Sequence, residues 1–319
     1  METLLSLLKA LADPTRLRLL ALCDCSDLTV SDLTNILGQS QPRVSRHLKV
    51  MVEGQILERR TEGQRVFYGR KRGQDFDSVL DAVVEVHLAQ AQDQQATSAD
   101  LERLQGTLAA RSQLAKGYFD IHAARWHQVR SHYNDHTLAE ALFLEELKSG
   151  DQSHCQEYLD LGTGTGRILE IAAPHFDGGI GVDNNREMLA IARATLDENQ
   201  IRHAHVQEAD ITALPFGRNR FDCIGLYQVL HFIEEPATVI REAARVLQPG
   251  GRLLILDYIE HGHKELQRDF AHLWLGFSDE EMSSWLEMAQ LDLVAKRELS
   301  DSEKRQGPDV RLWVAYKEQ

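Results

Sequence analysis

Three glycines within five residues, Gly162, Gly164 and Gly166, follow a strand-like run, Gln156–Leu161, that carries Asp160. A helix-like run, Arg167–Ala173, comes next. At a strand-to-helix turn, glycines let a ligand approach the backbone, and the helix N-terminus favours a carboxylate or phosphate. Two further carboxylates have the spacing to complete such a site. Asp183 ends the next strand-like run, Gly179–Val182, where it can grip ribose hydroxyls, and Asp210 follows the run His203–Glu208, where it can accept from an adenine amino group. The turn is spelled GxGxG, not the GxGxxG of nicotinamide sites. A fourth run, Phe221–Leu226, leads to Gln228 and His231. An imidazole there can serve as a base if a reacting group must lose a proton; a structural or capping histidine would have the same spelling. A second chemistry is electrostatic. Residues 40–72 hold nine Lys/Arg against three Asp/Glu, while the whole chain has a net charge of −14. A compact basic island on an acidic chain points to one dedicated anionic contact face and argues against nucleic-acid coating of the whole molecule.

The elements that must position these groups fall into three zones. With 319 residues, 43% hydrophobic and 26% charged, the chain has globular composition of a length that suggests two domains. No apolar run approaches the ~20 residues of a membrane span. The first residues show neither a basic leader nor a small-residue cleavage site, so no signal peptide is expected. Four cysteines make no disulfide framework, and a cytoplasmic location is expected.

In the first zone, Leu4, Leu5, Leu7, Leu8 and Leu11 give one helix an apolar face, and Asp13-Pro14 stops it and starts a second over Arg16–Leu22. Thr29 and Asp32 form a capping box for a third, which Gly38 ends. Ser40 caps a fourth helix, Gln41 to Glu53, in which Val44, Leu48 and Met51 bury at i, i+4 and i+7. Gln41, Arg43, Ser45, Arg46 and Lys49 are then left outward, in the geometry of a helix that enters a major groove. Ile56–Arg60 and Arg65–Tyr68 predict a hairpin wing whose Arg59, Arg60 and Arg65 suit phosphates. Residues 73–150 read as helical, with Leu101, Leu104, Leu108 and Leu114 near helical spacing. Residues 155–319 alternate strands and helices, the pattern of a parallel α/β sheet.

LADPTRLRLL, DLTVSDL and QSQPRVSRHLKVM, over roughly residues 4–72, resemble the ArsR/SmtB family of winged-helix repressors. The resemblance implies a homodimer joined through the first helix and residues 74–95, bound to an inverted-repeat operator. It does not bring metal ligands with it. Thr29 and Ser31 stand where that family's arsenic-type site has cysteines, and neither hydroxyl is a soft-metal ligand. Cys23 and Cys25 lie earlier without an evident third ligand, and Asp81 and His87 lack the rest of the zinc-type set. No metal is expected.

DLGTGTGR, GVDNNREML, EADITALPF, FDCIGLYQVLHF and ARVLQPGGRLLILD, in this order, resemble class I S-adenosylmethionine-dependent methyltransferases, nearest the group that includes ubiquinone/menaquinone and arsenite methyltransferases. The resemblance implies that Asp160, Gly162, Gly164 and Gly166 cradle the methionine end, and that Asp183 holds the ribose with Met188 near the adenine. It further implies that Asp210 and Ile211 read the adenine edge and that Gln228 lines the site. Tyr118 and Trp126 are candidates to cover the ligand or to pack in the core. Only Cys155 and Cys223 lie in this region, too few for arsenite chemistry.

The expected architecture is therefore α/β: a winged helix-turn-helix and dimerisation domain over 1–96, a helical linker over 97–117 and a Rossmann-like seven-stranded methyltransferase fold over 118–319. The pairing resembles S-adenosylhomocysteine-responsive regulators of methionine metabolism. It implies a repressor whose methyltransferase-like domain receives S-adenosylhomocysteine or S-adenosylmethionine. The alternative is an active methyltransferase, acting on a small-molecule acceptor, with a DNA-binding domain attached.

Overall fold

The computed structural model describes residues 2–62, 65–89, 95–131, 136–149, 154–270, 272–299 and 308–318; side chains from 115 to 131 lie outside the description. By its internal contacts the chain divides into two compact units, Met1–Ala115 with Arg193–Gln207, and Lys116–Ala192 with Glu208–Gln319.

The first unit begins with α1 (Glu2–Leu11) and α2 (Pro14–Cys25), and Asp13 caps α2 by accepting from the amides of Thr15 and Arg16. After β1 (Leu28–Thr29), the Thr29–Asp32 capping box opens α3 (Val30–Leu37), which Gly38 closes at φ 62°. The fourth helix is α4 (Gln41–Glu53), with Ser40 at the N-cap position but making no side-chain cap bond. Val44, Leu48 and Met51 bury as the spacing predicts. Strands β2 (Leu57–Glu62) and β3 (Arg65–Arg70) form the antiparallel hairpin, and β1 pairs with β3. Then come α5 (Asp77–Ala89) and α6 (Gln95–Ser131), a 37-residue helix that continues well past the expected linker end at 117. Only part of the predicted apolar spacing is buried. Leu7 and Leu11 enter the core, while Leu4, Leu5 and Leu8 stay 44%, 52% and 45% exposed. Leu104 is buried, but Leu114 is 76% exposed.

The first turns of α6 are tied to the helix-turn-helix by charge. Arg18 grips the nearly buried carboxylate of Asp100 through two bonds of 2.5 and 2.7 Å. Arg111 donates to the Asp27 carbonyl at 2.9 Å and to the Asp32 carboxylate at 2.7 Å. Asp32 is also the capping-box residue of α3, so one side chain links α6 to the start of the helix-turn-helix.

The remaining elements are α7 (His136–Leu147), β4 (Cys155–Leu161), α8 (Arg167–Ala172), β5 (Phe176–Asp183), α9 (Arg186–Glu198), β6 (Ala204–Glu208), β7 (Phe221–Tyr227), α10 (Pro236–Val246), β8 (Leu247–Tyr258), α11 (Lys264–Phe270), α12 (Asp279–Met288), β9 (Leu291–Glu298) and β10 (Val310–Lys317). The seven strands order as β6-β5-β4-β7-β8-β10-β9. Neighbours from β5 to β8 are parallel, and β10 runs antiparallel between β8 and β9. Apolar strand residues such as Leu159, Leu161, Val182, Ile224, Leu226, Leu253 and Ile255 are fully buried, as a sheet covered on both faces requires. The chain winds outward from β4 to β6 and then returns to place β7 on the other side of β4. That reversal opens a crevice beyond the carboxyl ends of β4 and β7, where open α/β sheets bind ligands.

Candidate functional site

Two surfaces collect the residues singled out in the sequence. The first lies on α4 and the hairpin. Ser40, Gln41, Arg43, Ser45, Arg46 and Lys49 are all exposed, opposite the buried Val44–Leu48–Met51 stripe. Arg59 and Arg65 are exposed on the hairpin strands. Arg60 corrects the expectation. It is turned inward, 8% exposed, and pairs with Asp27 and Glu58. Successive strand residues face opposite sides, and Arg60 stands opposite the buried Phe67. Arg70, a second cation of the basic island, is buried against Asp24 and Asp81 at 2.8 and 2.6 Å. The outward cationic face is therefore narrower than the residue count implied. The Cys23 thiol is buried, and burial pushes its pKa up. Among the described residues, no group of three or more His, Cys, Asp or Glu is placed to hold a metal ion.

The second surface is a cavity of about 450 Å³ at the reversal of strand order, within the usual range of small-molecule sites. It is lined by Asp160, Gly162, Gly164, Asp183, Met188, Asp210, Ile211, Gln228 and His231, residues that the sequence spreads over more than 70 positions. Gly166, also a candidate, instead packs against α9: a Cβ there would meet Ala192 at 2.9 Å. Gly162 and Gly164 both take left-handed backbone angles, φ 70° and 53°. A Cβ on Gly162 would strike Val229 at 2.6 Å, whereas Gly164 opens onto free space. Tyr118 and Trp126 fall where side chains are outside the described residues.

Hydrogen bonds hold the acidic groups in place. Asp183 accepts from the Gly164 amide at 2.9 Å and the Asn185 amide at 2.8 Å, one through each oxygen. A carboxylate has about four acceptor positions, and the Asn184 amide is a further backbone partner. Burial raises the Asp183 pKa. Asp160 lies deeper, accepts from the Thr163 hydroxyl at 2.6 Å, and is pushed up to about 7, mainly by burial and further by Asp183. Asp210 is held below the usual carboxylate range by the Thr212 hydroxyl and amide. Gln228 has a left-handed backbone, φ 55°, and its Nε2 is buried without a partner among the described residues. A strained residue with an unspent donor at a cavity wall is the kind of feature that binding sites retain.

Sequence reasoning missed the other part of the lining: Tyr227, Phe232, Ile233, Tyr258 and His272, with Asp257 behind His231. Tyr227 and Tyr258 end β7 and β8, and a ligand position at strand ends could have singled them out. His272 has no motif to mark it.

Residues 13–58 match the family described as bacterial regulatory proteins of the arsR family, and residues 159–255 match the methyltransferase domain family. Among curated relatives, the uncharacterized methyltransferase YcgJ of Bacillus subtilis is 27% identical over 150 residues, 44% of this chain and 58% of the relative. The ubiquinone/menaquinone biosynthesis C-methyltransferase UbiE of Vibrio cholerae is 35% identical over 111 residues, 32% of this chain and 41% of the relative. The chain thus spans less than two thirds of the length of these relatives. The [4+2]-cyclase SpnF superposes with a TM-score of 0.53 at 18% identity, covering 65% of this chain and 96% of that one. A putative methyltransferase of Haloferax volcanii, solved with the Trm112 methyltransferase activator, superposes at 0.52 with 20% identity, covering 63% and 96%. These two structures share the fold. No described helix is long and apolar enough to cross a membrane.

Proposed function

From a chain that joins an arsR-family helix-turn-helix to a class I methyltransferase domain, we propose a transcriptional regulator, acting as a repressor, whose methyltransferase-like domain binds S-adenosylhomocysteine or S-adenosylmethionine as effector. The regulated genes would be those of methionine or methyl-cycle metabolism. The carrying observation is that one chain presents both an exposed cationic α4 face and a preformed glycine cradle beside Asp183. On α4, Arg43 and Gln41 read base edges, with Ser40, Ser45, Arg46 and Lys49 beside them; Arg59 and Arg65 meet phosphates. The exposed leucines of α1 and Val86 of α5 supply an apolar surface for a homodimer, which would match an inverted-repeat operator.

The cavity residues fit the adenosyl ligand. The open face of Gly164 leaves room for the methionine end, beside Asp160 and Gly162. Asp183 lines the cavity at the end of β5 to accept from the ribose hydroxyls, Met188 and Ile211 offer apolar contact to the adenine, and Asp210 faces its edge. The unpartnered Nε2 of Gln228 can donate to the ligand. Arg111, on α6, holds the Asp32 carboxylate of the α3 capping box.

The test begins with duplexes selected from a random pool by the ligand-free protein, onto which both adenosyl ligands are then titrated. We expect a change in DNA affinity of at least about tenfold, or about 1.4 kcal/mol of coupling. Asp183→Ala should lose about tenfold or more in ligand affinity, since charge-assisted bonds are each worth ~1.5–3 kcal/mol, while ligand-free DNA binding survives. Tight ligand binding with no effect on DNA would defeat the effector reading. A second reading, an active methyltransferase, is favoured by one observation: the His231–Asp257 pair in the cavity wall.

A further inference from the structure

The cavity has two chemically different sides. The glycine loop and Asp183 stand at the ends of β4 and β5, and there the lining is rich in carboxylates and backbone amides. Past the ends of β7 and β8 the lining is aromatic. His231 packs against Phe232, His272 and Tyr258 with ring centroids 4.0, 4.2 and 4.9 Å apart. Phe232 and Tyr258 also lie within 5.2 and 5.5 Å of His272. In the adenosyl reading the cradle, Asp183 and Asp210 take the methionine end, ribose and adenine, and that assignment calls on none of the aromatic side.

The aromatic side contains an organised base. Asp257 accepts from Nδ1 of His231 at 2.7 Å, from the Leu230 amide at 2.9 Å and from the Tyr258 amide at 2.8 Å. Two amides and the imidazole fix the carboxylate, and the carboxylate fixes the ring; in the neutral imidazole the proton then sits on Nδ1 and Nε2 is the acceptor. The same order of groups orients a general base in hydrolytic triads. His272 adds a second observation. It is 3% exposed, its Nδ1 has no partner among the described residues, and burial pushes it down to about 3, so it is neutral at pH 7. A neutral, unpartnered nitrogen in the wall of a cavity is suited to hydrogen-bond a bound polar group.

We propose that His231, Asp257, His272, Phe232 and Tyr258 form an acceptor subsite for a neutral aromatic hydroxyl, a phenol or catechol, which the domain methylates. The proposal rests on the adenosyl reading of the neighbouring cradle. The lining argues for this class. Among the described lining residues the one Arg or Lys is Arg167, held by Glu140 at 2.8 Å, so none of these residues awaits an anionic acceptor. Tilted and edge-on rings favour a flat aromatic partner. A phenol ionises near 10, like tyrosine, within reach of an imidazole base, whereas an aliphatic alcohol is far too weak an acid. An adenosyl sulfonium, when bound, supplies an electrophilic methyl carbon. The acceptor hydroxyl gives its proton to Nε2 of His231 as its oxygen bonds that carbon. The carbon–sulfur bond breaks with its electron pair going to sulfur, leaving a methyl ether, a neutral thioether and an imidazolium that returns its proton to water.

The test uses the full chain. Binding of 1-naphthol to protein saturated with S-adenosylhomocysteine is followed by fluorescence quenching. Methyl transfer from S-adenosylmethionine to 1-naphthol, catechol, benzyl alcohol and benzylamine is followed by mass spectrometry. We expect saturable naphthol binding and methyl ethers of the two phenols alone. His231→Ala should lower turnover by about 100-fold or more while S-adenosylhomocysteine affinity stays within about threefold. His272→Leu should weaken naphthol binding in the S-adenosylhomocysteine complex with no loss of adenosyl affinity. Normal adenosyl binding with neither naphthol binding nor phenol methylation overturns the subsite, as does methylation of benzylamine alone or full turnover by His231→Ala. Failure to bind S-adenosylhomocysteine overturns the adenosyl reading itself, and the subsite with it.

Discussion

The α4 face and the adenosyl cavity recognise by opposite means. On α4 the chemistry is contiguous in sequence and exposed, a row of cations and amides on a helix whose other side is packed. In the cavity it is gathered from the ends of several strands and turned inward, with carboxylates fixed by amides before any ligand arrives. Exposed charge is screened by salt and makes little demand on folding. Buried charge is preorganised, and removing one member leaves others without partners. Substitutions on α4 should therefore change binding without changing stability, and substitutions of buried charge should change both.

The sharpest break in that contrast lies between adjacent residues. Arg60→Ala takes the hydrogen-bonded cation from the largely covered Asp27 carboxylate, and we expect it to destabilise the fold by about 3–5 kcal/mol, read as a drop in denaturation midpoint. Burial works to raise the Asp27 pKa, and the cations around it, Arg60 first, more than offset that and hold it lowered. The folded pKa is depressed, so this stabilisation is present above the unfolded carboxylate range and is lost as pH falls from there through the folded pKa. Wild type and Arg60→Ala should then converge in stability in acid. Arg59→Ala, one residue earlier and exposed, should leave stability within about 0.5 kcal/mol and lower the salt slope of DNA binding by about one. Equal stability of the two variants would erase the distinction.

Next in size is the double substitution Arg43→Ala with Arg46→Ala. At ~1–3 kcal/mol for each base-reading contact, the pair should lose about 100-fold in affinity for selected duplexes, with an unchanged thermal midpoint. Retained affinity, measured by anisotropy, would remove α4 from the interface.

The same contrast explains what the sequence disclosed. The burial of Val44, Leu48 and Met51 followed from helical period, and the Thr29–Asp32 box and Gly38 from local capping chemistry. The glycine loop, Asp183 and Asp210 were legible because each sits where a strand must end. Arg60 was misplaced although strand alternation separates it from Arg59, because its partner Asp27 is 33 residues away and joins it only through the fold. His231 is isolated in the sequence for a similar reason: Asp257, which holds its Nδ1, stands one residue before the end of a strand, 26 residues later. Local periodicity reveals which side faces water, but not which distant charge faces a buried one.

Inside the cavity the contrast predicts a pH dependence. Asp160 is pushed up to about 7, first by burial and then by Asp183, against the lowering effect of Thr163. The free pocket therefore holds a proton there in mild acid. A cationic ligand amino group beside it would favour the ionised form, so binding should release that proton. Affinity for S-adenosylhomocysteine should rise by up to about tenfold per unit as pH approaches 7 from below and flatten above it. Asp160→Asn should flatten the whole profile. Calorimetry in buffers of different ionisation enthalpy measures the released proton directly, and a profile unchanged by Asp160→Asn would remove that carboxyl from the ligand's surroundings.

The smallest expected effect concerns the link between the two chemistries. Arg111 is partly exposed yet holds the Asp32 carboxylate and the Asp27 carbonyl, so it belongs wholly to neither class. Asp32 already caps α3 through Thr29, at 2.8 Å to its amide and 2.6 Å to its hydroxyl. Arg111→Ala should therefore leave α3 formed and ligand-free DNA affinity within about threefold. What it removes is the one α6 side chain on that cap among the described residues. If ligand occupancy reaches the helix-turn-helix through a rigid α6, the adenosyl effect on DNA affinity should shrink by about 0.5–2 kcal/mol, the range of substitutions along a coupling route. Full coupling in Arg111→Ala would mean that the signal travels by another path, and Arg18→Ala at the Asp100 contact would be the next to measure.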